Sequence, residues 1–156
     1  MKKLFCLLAL IHAFLAWGAD GDVFYANSSE GVEIAFKIIS ESNKTVQVGD
    51  GTLVAIDDSY EGILTLPNSV LGYQVVKIGQ KAFYMHNGLS LINIPGSVEE
   101  IEREAFYRCK SLRSISIPNK IKSIARETFM FCENLTTVAL PNGITSIEYD
   151  AFYGCI

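Results

Sequence analysis

The apolar positions in the second half of the chain recur with a period of 23 residues. Two series of anchors keep this step, one of phenylalanines and one of prolines: Phe83, Phe106, Phe129 and Phe152, and Pro95, Pro118 and Pro141. A unit this short cannot bury its own apolar row, so each copy has to cover the flank of the next. The period therefore predicts a solenoid, in which equivalent residues of neighbouring units form columns with steps of about 4.8 Å.

Each unit divides into short elements that the polar and apolar pattern identifies. In the unit 89–111, Ile92 and Ile94 alternate with polar neighbours, which is typical of a strand with one buried face. Pro95 ends this strand because proline lacks the N–H donor that a strand ladder needs. A second short extended stretch follows, and the sequence EREAFYRC after it has helical spacing. We therefore predict parallel strands joined by short helical turns.

Two segments of different pattern precede the regular units. The predicted repeats cover 61–156 and divide into an irregular unit, 61–88, and three regular units, 89–111, 112–134 and 135–156. An insertion around Leu71 lengthens the irregular unit and predicts a longer turn. In the segment 19–60, apolar residues alternate along 32–38 and again after the turn-forming sequence SESNK. This pattern predicts a β-hairpin, and we expect it to cap the apolar flank of the first repeat.

The first residues, MKKLFCLLALIHAFLAWGAD, predict a signal peptide at 1–18. Lys2 and Lys3 precede an apolar run that ends at small residues, as in a secretory signal. The run is shorter than the roughly 20 residues of a membrane-spanning helix, so we expect no transmembrane segment. Cleavage would remove two lysines from a chain whose formal charge is already −4. No basic patch remains, and the sequence therefore gives no indication of nucleic-acid binding.

The order of the anchors resembles that of a known family. Within one unit it reads Leu-x-x-Ile-x-Ile-Pro, then Val-x-x-Ile, then Ala-Phe-x-x-Cys, and residues 112–132 and 135–155 both follow it. This order resembles the leucine-rich repeats of BspA-like bacterial surface proteins. The resemblance implies a leucine-rich-repeat solenoid of the β-dominated α/β class, with parallel strands on the concave side, short helical turns outside and the N-terminal β-hairpin as a cap.

The same resemblance implies a secreted or cell-surface bacterial protein that binds a partner. Some members of the family are linked with adhesion to host matrix proteins. The implied partner is therefore either a protein, for example a host extracellular-matrix protein, or a glycan. The predicted concave face carries two columns of small, uncharged or apolar side chains: Ile63, Leu91, Ser114 and Thr137, and Thr65, Asn93, Ser116 and Ala139. A second candidate surface is a stripe that follows the core phenylalanines: Tyr84, Tyr107, Met130 and Tyr153.

One column of the predicted solenoid contains three cysteines and a histidine, which raises the question of a metal site. His86 occupies the position of Cys109, Cys132 and Cys155 in the later units. Ligands at successive steps of about 4.8 Å cannot all lie within the roughly 2.0–2.3 Å that zinc requires. We therefore expect no metal and no cofactor, and we interpret the thiols as buried, free and structural.

A column of acids suggests catalysis at first sight, but a simpler interpretation exists. Glu104, Glu127 and Asp150 are spaced by the repeat, and neighbouring carboxylates would lie near the separation of about 5–5.5 Å used by retaining glycosidases. Each acid also begins a predicted helical turn, where a carboxylate offsets the charge of unpaired backbone N–H groups. The sequence contains no nucleophile motif or nucleotide-binding loop. We therefore predict that the protein is not an enzyme.

A competing hypothesis assigns the repeats a structural role. In this interpretation the protein is a spacer, or an element that associates with copies of itself through the open coil 135–156. An uncovered strand edge pairs readily with another chain, which is the physical basis of this alternative.

Overall fold

The computed structural model describes residues 18–52 and 54–155, and the predicted signal peptide lies outside them apart from Gly18. These residues form twelve strands and no helix. The strands are β1 (Val23–Asn27), β2 (Glu33–Ser40), β3 (Thr45–Val48), β4 (Gly62–Thr65), β5 (Ser69–Val70), β6 (Tyr73–Ile78), β7 (Leu89–Asn93), β8 (Glu100–Ile101), β9 (Ser114–Ser116), β10 (Ser123–Ile124), β11 (Thr137–Ala139) and β12 (Ser146–Ile147).

The main element of the repeats is a parallel sheet, here called the repeat sheet, in the order β4-β7-β9-β11. Its register aligns Leu64 with Ile92 and Ile92 with Ile115, so equivalent residues of successive units lie beside one another. All three side chains are buried because alternate residues of a strand point to the same face. The stack of parallel strands predicted from the 23-residue period is therefore confirmed.

A second column of short strands follows the repeat sheet in each coil. β6 pairs in parallel with β8, and β10 pairs in parallel with β12. Ile78 and Ile101 align in the first pair and are both buried. The predicted second extended stretch is thus present, although each of its strands in the regular units contains only two residues.

The predicted short helical turns are wrong, because the segment after each second strand is a series of β-turns. Glu104 and Arg108 have φ values of 58° and 56°, which lie in the left-handed region and interrupt a right-handed helix. The N–H of Phe106 donates to the carbonyl of Thr128 in the next coil at 2.9 Å. Because backbone donors of the turn are satisfied by the neighbouring coil, a helix that used them internally is not favoured.

The phenylalanine anchors form one stacked column through the core. Neighbouring ring centroids are 5.2, 5.4 and 5.3 Å apart along the series Phe83, Phe106, Phe129 and Phe152. The ring planes are within 10° of parallel in every pair. The first three rings are fully buried, whereas the last is only partly covered. The predicted period is therefore also the period of the aromatic packing.

The N-terminal segment adds three antiparallel strands to the second strand column. The predicted hairpin is present as β2 and β3, and β1 pairs with the outer side of β2. β3 continues the column because it pairs in parallel with β6, with Val48 opposite Ile78. The N–H of Ala55 donates to the carbonyl of Ala82 at 2.6 Å, which joins the end of the segment to the first turn of the repeats.

The insertion in the irregular unit forms a tight hairpin. β5 and β6 are antiparallel, and only Leu71 and Gly72 lie between them. Both residues have positive φ, 49° and 85°, as a two-residue turn of the hairpin type requires. The Leu71 side chain is 68% exposed, since the turn projects away from the core.

Candidate functional site

The exposed face of the repeat sheet carries the residues predicted from the sequence, in the predicted columns. Pairing aligns Ile63 with Leu91, Leu91 with Ser114, and Ser114 with Thr137. The second column aligns Thr65 with Asn93 and Ser116 with Ala139. We call this surface the sheet face.

The sheet face offers apolar and hydroxyl contacts but no charge. The Ile63 side chain is 51% exposed, and Leu91 is partly covered. The Asn93 side-chain amide donates to the hydroxyl of Thr65 at 3.1 Å, so these two polar groups satisfy each other across neighbouring coils. A shallow depression of about 290 Å³ lies along the strands β7, β9 and β11. This surface is suited to contacts with a second surface and lacks groups for acid–base chemistry.

A polar groove, which the sequence pattern does not predict, lies beside the sheet face where the chain enters the strands. It has a volume of about 490 Å³ and is lined by Glu61, Gly62, Asn87, Gly88, Ser90, Ser111, Arg113 and Asn134. Ser90 and Arg113 precede the face residues Leu91 and Ser114 directly. The lining comes from three coils at positions that differ in type from unit to unit, so no sequence motif marks it.

The predicted aromatic stripe is present only in part. Tyr84 and Tyr107 stack with centroids 4.9 Å apart and planes 5° from parallel. The ring contacts then continue through Phe131, not through the predicted Met130, and reach Tyr153 edge to face at 5.5 Å. Gly154, one period after Phe131, is the sequence signal for this shift. A Cβ at that position would lie 2.5 Å from the Phe131 ring, so the ring is accommodated only next to a glycine.

Cations cover the faces of three of these rings, whereas Tyr153 is 59% exposed, so the open surface of the stripe is limited to its Tyr153 end. The Arg108 guanidinium lies over both Tyr107 and Phe131, at 5.5 and 5.2 Å from their centroids. The Lys81 ammonium lies 5.3 Å from the centroid of the Tyr84 ring. The aromatic and cationic groups therefore contact each other, and the stripe mainly joins one coil to the next.

The cysteine column has a structural role within the described residues. Each thiol donates to the carbonyl of a core phenylalanine in the preceding coil, at 2.9 Å for Cys109, 3.0 Å for Cys132 and 3.1 Å for Cys155. Burial raises the pKa of the Cys109 thiol and raises the pKa of Cys155 to about 11. Cys109 and Cys132 are fully buried, as predicted, and a protonated thiol is a poor nucleophile.

His86 replaces the cysteine in the first unit because its acceptor is in a different place. In the irregular segment before it, Tyr60 lies 23 residues before Phe83, at the position that the later units fill with a core phenylalanine. The longer imidazole reaches the carbonyl of Asp57 instead, with Nε2 at 3.0 Å. His86 is fully buried, and its Nδ1 has no hydrogen-bond partner in the described chain. The histidine thus performs the same anchoring as the cysteines.

The predicted role of the acidic column at helix starts is wrong, because no helix follows these residues in the described chain. Glu104, Glu127 and Asp150 have φ values of 58°, 57° and 54° and lie within β-turns. Glu104 pairs with Lys81 at 3.4 Å, and Glu127 pairs with Arg126 at 2.7 Å. The carboxylates of Glu104 and Glu127 are therefore partners of neighbouring cations.

The N-terminal segment also covers the open edge of the repeat sheet. β4 is one of the two edge strands, and the Thr65 N–H on its outer side donates to the Glu30 carboxylate at 3.2 Å. The Tyr60 hydroxyl donates to the carbonyl of Ile63 on the same edge. Hydrogen bonds from Thr65 and then from Ser28 lower the pKa of Glu30 from 4.5 to about 2. The contacts occupy an edge that would otherwise be free to pair with another strand.

We expect acid to weaken the fold partly through Glu30. Its pKa is lower in the folded state, so its contribution to stability is complete above about pH 4.5 and is lost as the pH falls towards 2. In Glu30→Gln this part of the pH dependence should be missing. Urea unfolding of the wild type and the variant at pH 7 and at pH 2.5 measures it, and the stability difference between them should shrink in acid.

Glu33→Gln is the matched control, because Glu33 is an exposed glutamate at the start of β2 whose carboxylate accepts no hydrogen bond from the described chain. The difference in free energy of unfolding between Glu33→Gln and the wild type should not shrink between pH 7 and pH 2.5. Equal pH dependence of the two variants would show that the Glu30 contact with Thr65 does not contribute.

The described residues contain no arrangement that would bind a metal ion. Across 18–52 and 54–155, no three residues of the types His, Cys, Asp or Glu cluster as a ligand set. A membrane-spanning helix is likewise not found in this part of the chain. The site to be explained is therefore a surface, formed by the sheet face and the polar groove.

Comparison with known proteins connects this geometry to a family. The model of the BspA type leucine rich repeat region, described with six copies, matches residues 56–156. A search of curated protein sequences finds no significant match. Among solved structures, the chain is similar to a leucine-rich repeat protein from Bacteroides ovatus, with 30% identity and a TM-score of 0.67 over 86% of this chain.

Two further structures are similar in fold. They are the leucine-rich repeat protein of T. pallidum, with 22% identity and a TM-score of 0.57 over 85% of this chain, and the pneumococcal vaccine antigen PcpA, with 19% identity and a TM-score of 0.60 over 86%. The chain spans 32% of the Bacteroides protein, 64% of the T. pallidum protein and 42% of the antigen. Because the family model covers more than half of the sequence, this chain belongs to the BspA type leucine-rich repeat family.

Proposed function

We propose that the chain is a non-enzymatic protein-binding module of a bacterial surface or secreted protein, and that the sheet face is its contact surface. The observation that carries the proposal is the register of the repeat sheet, which aligns uncharged side chains of four coils on one exposed face. Leucine-rich repeat domains typically mediate protein interactions, and solenoids commonly use the strand side for them. The predicted signal peptide at 1–18 supports export.

The chemistry of the sheet face favours a protein over a glycan as partner. Ile63 and Leu91 provide apolar area, and the threonine and serine hydroxyls provide adaptable hydrogen bonds. Sugar recognition commonly uses the open face of an aromatic ring, and the residues that form the sheet face include no aromatic side chain. The partner class includes host extracellular-matrix proteins. No metal or cofactor takes part.

We further propose that the N-terminal segment is a cap for the first repeat. Its strand β3 pairs with β6, and its residues Glu30 and Tyr60 occupy the outer edge of β4. Without these contacts, two strand edges of the first unit would be open to solvent or to another chain. The segment therefore contributes solubility and not a binding surface of its own.

Ile63→Glu should weaken partner binding if the sheet face is the contact surface. A charge within an apolar contact has to be desolvated, and the expected loss in affinity is at least about tenfold. The measurement is the binding of the full chain to immobilised collagen, laminin and fibronectin by surface plasmon resonance. Leu71→Glu is the matched control, because it places the same charge on an exposed apolar residue of the β5–β6 turn.

The same experiment also distinguishes the proposed binding function from the alternative, in which the repeats have a structural role. Loss of binding in Ile63→Glu with normal binding in Leu71→Glu supports the proposal, and equal behaviour of the two variants contradicts it. The flank of the coil 135–155 exposes Leu140 and Ile147, at 41% and 52%, which favours self-association as the second candidate function. A mass that rises with concentration in light scattering, together with no binding to the three proteins, would favour that candidate.

A further inference from the structure

The polar groove contains an arginine whose charge the protein leaves without a partner. Arg113 is exposed, and no carboxylate, hydroxyl or carbonyl of the described chain bonds its guanidinium. Several other cations of the repeats are paired, such as Lys110 with Glu133 at 2.9 Å and Lys120 with Glu99 at 2.6 Å. Glu61 lies in the same groove but forms no ion pair with Arg113. The guanidinium therefore retains its full capacity for an external anion.

The surroundings of Arg113 provide further hydrogen-bond groups. The Asn134 side-chain NH₂ donates to the carbonyl of Lys110 at 2.7 Å, and Ser90 donates to the carbonyl of Gly62 at 2.9 Å. These two side chains are fixed in position by contacts between coils. The side chains of Asn87 and Ser111 also line the groove and make no hydrogen bond within the described chain. An amide and a hydroxyl beside a guanidinium form a set of donors suited to a carboxylate.

The groove opens directly onto the sheet face. Arg113 and Ser114 are consecutive, as are Ser90 and Leu91, so each strand carries the chain from the groove into the face. An extended segment that crosses the parallel strands on the face would have one flank over the groove. Neighbouring strands are about 4.8 Å apart, so the groove, with lining from three coils, admits one or two side chains of such a segment.

We propose that the groove is a carboxylate subsite, in which Arg113 binds an Asp or Glu side chain of a protein partner held on the sheet face. This inference rests on the proposed function. The planar guanidinium favours a carboxylate because it can donate two parallel hydrogen bonds to it. The groove has no aromatic lining, so a sugar acid would lack a stacking partner. Glu61, which also lines the groove, disfavours a run of acidic residues, and a single acid flanked by uncharged residues fits best.

The test uses a phage-displayed library of random twelve-residue peptides, panned on the full chain and eluted from it. Enriched peptides should share one acidic position among apolar and hydroxyl residues. Their affinity for Arg113→Gln should be about ten- to a hundredfold lower than for the wild type, as expected for the loss of a charged hydrogen bond. Arg113→Lys should recover part of the affinity, because it retains the charge but not the paired donors.

The matched control is Lys122→Gln, which removes an exposed lysine of the same unit that has no ion pair in the described chain. This variant should bind the peptides within about twofold of the wild type, and melting curves should show that all three variants fold. Absence of enrichment, enriched peptides without an acid, or equal affinity for Arg113→Gln would overturn the inference. If Arg113→Gln binds the peptides as well as the wild type does but Ile63→Glu binds them less well, the proposed function stands. Only the carboxylate subsite is then wrong.

Discussion

Phe106→Ala is expected to lower the free energy of unfolding by about 3–5 kcal/mol, the range for a buried phenylalanine. The Phe106 ring is fully buried and stacks between Phe83 and Phe129, with centroids 5.2 and 5.4 Å away. Removal of the ring leaves a cavity and eliminates the stacking contacts with both neighbouring coils. Since a solenoid is stabilised by contacts between neighbouring coils, the loss should affect unfolding of the whole repeat region. Urea denaturation followed by circular dichroism measures it.

Phe152→Ala is the control within the same column. This ring stacks on Phe129 alone, at 5.3 Å, and is only partly buried, so its removal should cost clearly less than the change at Phe106. An equal cost for both substitutions would show that stacking between coils is not what stabilises the column. An unchanged midpoint for Phe106→Ala would contradict the assigned register of the repeats.

The 23-residue period was sufficient to predict the arrangement of the repeat sheet. A solenoid places equivalent residues side by side, so the alignment of Leu91 with Ser114, and of Ser114 with Thr137, follows from sequence spacing alone. The same reasoning predicted the stacked phenylalanines and the buried cysteines. These features depend only on which residue recurs, and the recurrence can be read without knowledge of the backbone.

The backbone of the outer turns could not be predicted in the same way. The spacing of EREAFYRC suits a helix, but the neighbouring coil offers carbonyls to the same N–H groups. With Glu104 and Arg108 in the left-handed conformation, the N–H groups of Phe106 and Arg108 donate to carbonyls of the next coil. Local spacing contains no information on this competition, so the helical turns were predicted wrongly.

The groove and the covered edge of β4 depend on contacts between segments that do not repeat. Glu30 meets Thr65 across 35 positions of sequence, and Tyr60 meets the same strand from the irregular loop. Arg113 occupies a position that is Ser90 in the unit before and Thr136 in the unit after. A period predicts what is shared among units, and a specific binding site depends on the residues that are not shared.

Gly88→Ala is expected to destabilise the fold by about 1–3 kcal/mol, the usual cost of inserting an atom into a packed region. A Cβ at Gly88 would lie 2.1 Å from the carbonyl oxygen of Tyr60 and 3.1 Å from its carbonyl carbon. Backbone atoms cannot move aside as a flexible side chain can, so the loop before β4 has to shift. That shift would strain the hydrogen bond from the Gly62 N–H to the Gly88 carbonyl, now 3.0 Å long.

Gly96→Ala is the matched control, because a Cβ there meets no atom within 4 Å and the residue is not among those with positive φ. The control should be neutral, or stabilising by about 0.4–1 kcal/mol, because alanine restricts the unfolded chain more than glycine does. Thermal melts of the two variants should therefore shift in opposite directions or differ by several degrees. Similar melting temperatures would mean that the approach of Gly88 to Tyr60 is not required, and that the wall of the polar groove formed by Glu61 and Gly88 is free to move.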